Sequence, residues 1–255
     1  MEPMCVGPET PRVVGRTGRG VRIAVLDSGV NPWHPHVRGV EGGVDVLRDG
    51  SLGDDWTDRL GHGTAVTAAI KHHAPDAELW AVRIFGDRLA TTLDGLVAGL
   101  EWSIARGAHL VNLSLGTTAQ AHRPALEAAL ARARSAGVLV VSAAEHEGVC
   151  WLPGGLPDAL GVRVATDLPP LTVRFTSTSA GGIRAESVGL PRSIPGVPAA
   201  LNVHGISFAV ANATGALARL LEAGTGPSGM AGVARALEAL SPSASRPPAT
   251  RPPGP

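Results

Sequence analysis

The apolar residues of this chain fall into two alternating kinds of run. Short, nearly unbroken runs rich in β-branched residues occur at Val21–Leu26, Leu79–Ile84, Leu110–Leu115, Val138–Ser142 and Val162–Ala165. Between and after them, apolar residues recur every three or four positions near 63–73, 91–106, 123–136, 207–223 and 229–240. That spacing lines one face of a helix. Strands that are apolar on both sides and alternate with helices predict an α/β fold, with a central, mostly parallel sheet covered by helices on either face. Ligands of such sheets collect at the carboxyl ends of the strands, so those ends are where chemistry is sought.

The flanks read differently. Residues 1–20 are rich in Gly, Pro and Arg and are expected to form an irregular lead-in to one domain over 21–240. Residues 241–255 are expected to be a disordered Pro-rich tail. The formal net charge is zero, which gives no reason to expect nucleic acid or an anionic membrane as partner. Of 22 basic residues only Lys71 is a lysine, a bias that fits a GC-rich genome better than a functional signal. Cys5 and Cys150 imply no disulfide framework. The first ten residues lack a basic stretch followed by an apolar run, and no apolar run approaches the length of a membrane span. The expected location is the cytoplasm.

Three polar residues stand in Gly-flanked turns at element boundaries. Asp27 ends the first strand in Asp27-Ser28-Gly29, His62 lies in Gly61-His62-Gly63-Thr64 before a helix, and Ser207 heads the helix that begins near 207. Each has an ordinary reading: a turn-forming aspartate, a loop histidine, an N-cap serine. Together they have another. Serine is a poor nucleophile until an imidazole takes its proton, and the imidazole needs a carboxylate to fix its tautomer and stabilise its cation.

The order Asp27, His62, Ser207 carries a family resemblance. Val-Leu-Asp27-Ser-Gly-Val resembles the aspartate motif of the subtilisin-like serine proteases, Gly-His62-Gly-Thr their histidine motif, and Gly-Ile-Ser207-Phe-Ala their serine motif. Asn112-Leu-Ser114-Leu115-Gly116 resembles one wall of the family's primary specificity pocket. Gly137-Val-Leu-Val-Val-Ser-Ala-Ala144 resembles the strand that leads to the oxyanion asparagine. The resemblance covers about residues 20 to 222, in order. It implies a subtilisin-like three-layer fold and a serine endopeptidase acting on a peptide or protein through an acyl-enzyme on Ser207. His62 would be general base and acid, Asp27 its orienting carboxylate, and Ser114, Leu115, Gly116, Ala144, Glu145 and Gly154 the substrate-binding walls. Ser207 can still cap its helix, since the two roles are compatible.

The resemblance also has breaks. His146 stands where the family has its oxyanion asparagine. A histidine can donate from a ring nitrogen, and it can equally turn away and leave the Ser207 N–H as the donor. Glu145 replaces a pocket glycine. A carboxylate there can select Arg or Lys, narrow the pocket, or sit solvated at its rim. Trp151 is expected to fill space nearby. The helix after His62 lacks the family's calcium-loop insertion, and His36 stands in the place of a calcium-ligand aspartate, so no such metal site and no cofactor is expected. His72 and His73 are adjacent on one helix, point about 100° apart and are poor partners for chelation. They are expected to supply positive charge at a helix C-terminus. The short lead-in resembles intracellular members without a prodomain, which suggests a dedicated substrate such as a precursor peptide. Transfer of the acyl group to an amine, as in a ligase or macrocyclase, and a binding module without turnover are the other readings of the same residues. The oligomeric state is left open.

Overall fold

The computed structural model describes residues 2–11, 13–178, 182–192, 202–222 and 229–240; the tail expected over 241–255 lies outside them. In chain order the strands are β1 (Met4–Val6), β2 (Arg22–Asp27), β3 (Gly42–Val46), β4 (Leu52–Gly53), β5 (Glu78–Arg83), β6 (Leu110–Leu113), β7 (Leu139–His146), β8 (Val149–Cys150), β9 (Ala159–Val164), β10 (Val173–Ser177) and β11 (Ile183–Ser187). The helices are α1 (His62–His73), α2 (Leu93–Ala105), α3 (Arg123–Ser135), α4 (Ile206–Leu220) and α5 (Gly229–Leu240). All five expected helices and all five expected strands are among them. The expected strand at Val138–Ser142 runs on to His146.

The strands form one sheet in the order β1-β10-β11-β9-β7-β6-β2-β5-β3-β4, with β8 paired to β7. Its middle is parallel: β9, β7, β6, β2, β5 and β3 all run the same way. Antiparallel pairs occur at the margins. Side chains alternate across this sheet. Ile23 and Val25 of β2, Leu110 of β6 and Val141 of β7 join the core under α1, α4 and α5. Ala24 and Leu26, Val111 and Val140 join the core under α2 and α3. The result is the expected three-layer fold. Each large side chain fully buried in these cores contributes about 1.5–3 kcal/mol. No helix among the described residues is long and apolar enough to cross a membrane.

The lead-in is more ordered than its composition suggests. β1 pairs antiparallel with β10, with Cys5 opposite Arg174. Val6 and Val13 are buried. The Glu222 carboxylate accepts the Thr17 and Gly18 N–H groups, and Arg219 donates to the Val13 carbonyl at 3.2 Å. These anchors lie far along the chain from the residues they hold, so no local pattern announces them. Both cysteines are free and exposed.

α1 and α4 pack side by side with little between them. A Cβ on Gly215 would lie 2.6 Å from the His73 Cβ and 2.9 Å from the Ile70 carbonyl. This close approach fixes the N-terminus of α1, which carries His62, relative to the N-terminus of α4, which carries Ser207. The expectation that His72 and His73 add positive charge at the end of α1 is corrected here. His73 is fully buried, and burial, with the charge of His72, pushes its pKa down to about 3. Burial also lowers that of His72. Packing that the helix periodicity does not reveal holds His73 neutral and biases His72 the same way.

Candidate active site

β2 delivers Asp27 to the carboxyl end of the sheet, fully buried. Its Oδ1 accepts the Ser28 N–H at 2.7 Å and lies 2.7 Å from Nδ1 of His62. An ionised carboxylate only accepts, so Nδ1 carries the proton and Nε2 is left with its lone pair as a base. Burial by itself would lower the His62 pKa. The hydrogen bond and charge of Asp27, with the charge of Asp58, outweigh it and raise the value above 6.5. Asp27 Oδ2 is buried without a hydrogen-bond partner among the described residues. Stabilisation of that charge therefore falls on the two donors at Oδ1.

Gly63 shows why a glycine follows His62. A Cβ there would sit 2.1 Å from the Gly29 carbonyl. The His62 turn and the Asp27 turn touch backbone to backbone, and Gly63 N–H donates to Ser28 Oγ at 2.9 Å.

A carboxylate that motif reading did not single out ties these turns together. Asp58 Oδ1 accepts from Ser28 Oγ at 2.8 Å, Leu60 N–H at 2.9 Å and Gly61 N–H at 2.8 Å. Its Oδ2 accepts from Thr64 N–H at 2.9 Å and Thr64 Oγ1 at 2.6 Å. Burial would raise its pKa, but the bonds from Thr64, Ser28 and Gly61 bring it below the usual carboxylate range. The local signal is an aspartate just before a helix start, where orphan N–H groups need an acceptor. Asp54 and Asp55 stand in the same loop, so composition could not say which one serves.

Ser207 is the second residue of α4, not its cap. The cap position is Gly205, at φ 155°, and no side chain caps the helix. The compatible capping role expected for Ser207 is thus not realised. Its Oγ donates instead to the Ser114 carbonyl at 3.2 Å, while Ser114 Oγ donates back to the Ser207 carbonyl at 3.3 Å. The Asp27–His62 hydrogen bond is formed, and the one between Ser207 and His62 is not. Nucleophile–base bonds are often long or unmade before substrate binds. Phe208, next to Ser207, places its ring centroid 6.1 Å from the imidazole.

The Ser114–Gly116 wall is built on Asn112. This fully buried amide donates to Ser114 Oγ at 2.9 Å and accepts from Thr214 Oγ1 of α4 at 2.9 Å. The Leu115 carbonyl accepts from Ser142 Oγ at 3.2 Å. Gly116 lies against Trp151, where a Cβ would sit 3.0 Å from the Trp151 Cβ. Beside it, Thr117 and Leu152 exchange backbone hydrogen bonds at 2.8 and 2.9 Å. The Ala144 carbonyl accepts the Trp151 N–H at 2.9 Å. Trp151 therefore fills space beside Gly116 and Ala144, as expected. Gly154 is pressed onto β7: a Cβ there would lie 2.1 Å from the Ala143 carbonyl.

Glu145 and His146 continue β7 into a tight hairpin with β8, turning at Glu147 and Gly148. The Glu145 carboxylate is ion-paired with Arg163 of β9. The fold thus presents a neutralised pair here rather than a free negative charge to select Arg or Lys. His146 has its Nε2 3.9 Å from the Glu147 carboxylate. The structure makes no hydrogen bond between it and Ser207.

Comparison with known proteins follows the same stretch. The subtilase family model matches residues 18–235. The alkaline protease of Alkalihalobacillus alcalophilus is 35% identical over 217 residues, covering 80% of this chain and 54% of that protein. The chain thus spans about half that relative's length. Subtilisin Savinase of Lederbergia lenta is 35% identical over 217 residues, covering 80% of this chain and 77% of that protein. Sphericase, a solved structure at 24% identity, shares the fold with a TM-score of 0.61 over 80% of this chain and 77% of its own. The matched residues include the turns of Asp27, His62 and Ser207, and the chain belongs to the subtilase family.

Proposed function

We propose that this chain is a serine endopeptidase in which Ser207 attacks the carbonyl of a peptide bond. One observation carries the reading: His62 is held by a fully buried Asp27 at 2.7 Å, on a helix packed directly against the one that carries Ser207. Asp27 fixes the tautomer that leaves Nε2 as base. Nε2 takes the Ser207 proton as Oγ leaves the Ser114 carbonyl, then gives it to the leaving amine. The Ser207 N–H lies in the first turn of α4, where helix geometry supplies no intrahelical acceptor. It is the first oxyanion donor, and His146 is the proposed second. Such a donor is worth roughly 10²–10³ in rate. The acyl side of the substrate lies along Ser114, Leu115 and Gly116, facing Ala144, Glu145 and Gly154. Water then resolves the acyl-enzyme. Processing of a dedicated precursor peptide is the substrate class proposed.

The test is labelling with a fluorophosphonate, with the adduct located by mass spectrometry. Wild type is expected to give one adduct per chain on Ser207, and Ser207→Ala none. His62→Ala is expected to react slower by orders of magnitude. Folded wild type that takes up no probe would overturn the proposal.

A further inference from the structure

Beside the His62 turn lies a cavity of about 510 Å³. Ala65 and Ala68 of α1 and Val203, four residues before Ser207, form apolar walls. His34, His36 and Arg192 form its polar end. Among the described residues, Arg192 has no carboxylate within ion-pairing distance. The field there is positive. Burial, then the charges of Arg192, His34 and Arg38, hold His36 below 6.5. Burial and then Arg192 do the same to His72. Asp58 also lines the cavity, but its oxygens already receive Ser28, Leu60, Gly61 and Thr64. Among the described residues Arg192 therefore lacks a counter-ion, in a space large enough for one or two side chains. A guanidinium presents several donors suited to a carboxylate, and imidazole N–H groups can add hydrogen bonds.

The position says which part of a substrate would enter. None of Ser114, Leu115, Gly116, Ala144, Glu145 and Gly154, proposed above for the acyl side, is among the described residues lining this cavity. It is lined instead by the turn that carries His62, the group that protonates the departing amine. The departing chain must lie on that side. We infer that this cavity is a leaving-side subsite that takes an acidic side chain, with Arg192 as its anchor. The inference rests on the endopeptidase reading above.

Partitioning of the acyl-enzyme tests the two separately. An activated ester of a small N-acyl amino acid would acylate Ser207 without use of the leaving side. The acyl group is then divided between water and added dipeptide amides: Glu-Ala, Ala-Glu, and their Gln and Lys counterparts. Amine attack is the reverse of amine departure, so it samples the same subsite. Rates are referred to active sites counted by fluorophosphonate titration. The better Glu amide is expected to outcompete its Lys counterpart by about fivefold or more, corresponding to about 1 kcal/mol for a partly exposed ion pair. Arg192→Glu is expected to reverse that order, and Arg192→Gln to abolish it. Ester turnover with no charge preference would overturn the subsite, as would a preference that survives Arg192→Glu. If folded protein shows neither ester turnover nor labelling, the endopeptidase reading itself fails. In that case fluorescence polarisation on Ser207→Ala decides the subsite alone: tighter binding of the Glu amides than of the Lys amides upholds it, and equal binding overturns it.

Discussion

Replacing Asp58 by asparagine removes a charge while keeping the shape of the side chain that braces the His62 turn. The native carboxylate accepts bonds from Ser28 Oγ, three backbone N–H groups (Leu60, Gly61 and Thr64) and Thr64 Oγ1. An amide best keeps its oxygen toward Ser28, Leu60 and Gly61, which puts its NH₂ against Thr64. The threonine hydroxyl can turn round and accept, but the Thr64 N–H cannot. One backbone donor then faces another donor, at about 1–3 kcal/mol, and the remaining bonds lose charge assistance. The helix also loses a negative charge at its N-terminus, about 0.3–1 kcal/mol. With allowance for partial exposure, the sum is about 2–4 kcal/mol, or roughly 4–16 °C in Tm for a chain of this size. The Asp58 charge is one of the groups that raise the His62 pKa. Its loss should move the acid limb of the labelling rate to lower pH. The plateau rate should fall about 10–10²-fold as the imidazole loses its fixed position. Asp54→Asn, in the same loop, is the control and should change stability by less than about 0.5 kcal/mol. Asp58→Asn with wild-type melting and an unmoved acid limb would refute the bracing role.

Three further predictions follow from the same geometry. His73 is neutral in the fold with a pKa of about 3, against 6.5 when unfolded, so the unfolded chain binds the extra proton below pH 6.5. Stability from this group should be complete above 6.5 and fall by about 1.4 kcal/mol per pH unit down to about pH 3. His73→Leu should flatten that part of a denaturant-derived stability profile. His62 has the opposite sign: its raised pKa adds stability below 6.5 that is lost as pH rises through the folded value. Asn112→Leu removes two buried hydrogen bonds, while the Thr214 hydroxyl keeps the Val210 carbonyl and the Ser114 hydroxyl keeps the Ser207 carbonyl, and should cost about 1–3 kcal/mol in chemical denaturation. Because Glu145 is paired with Arg163, Glu145→Gln frees the guanidinium and should lower the Lys-over-Leu ratio of kcat/KM in the residue before the scissile bond. Arg163→Gln should raise that ratio by freeing the carboxylate. Equal ratios in both variants would show that this pair does not face substrate.

The sequence by itself determined the layers and the family, and pointed to the residues of the candidate site. Near-continuous apolar strands alternating with helical stripes dictate a parallel sheet covered on both faces, because each side of such a strand must be buried. The glycines around His62 were legible as sites of close approach, and Gly63 against the Gly29 carbonyl is that approach. The rest depends on which distant segments meet. Met4–Val6 is too short to show a period, and becomes a strand because β10 offers it an edge. His73 reads as a helix-end cation and is neutral because Gly215 lets α4 close over it. Glu145 reads as a specificity carboxylate until β9 places Arg163 beside it. Asp58 is one of three similar aspartates until the folded turn aims five donors at it. Periodicity and motif are properties of neighbours along the chain. Burial, ion pairing and hydrogen-bond partners are set by neighbours in space, and for these residues only the tertiary structure decided them.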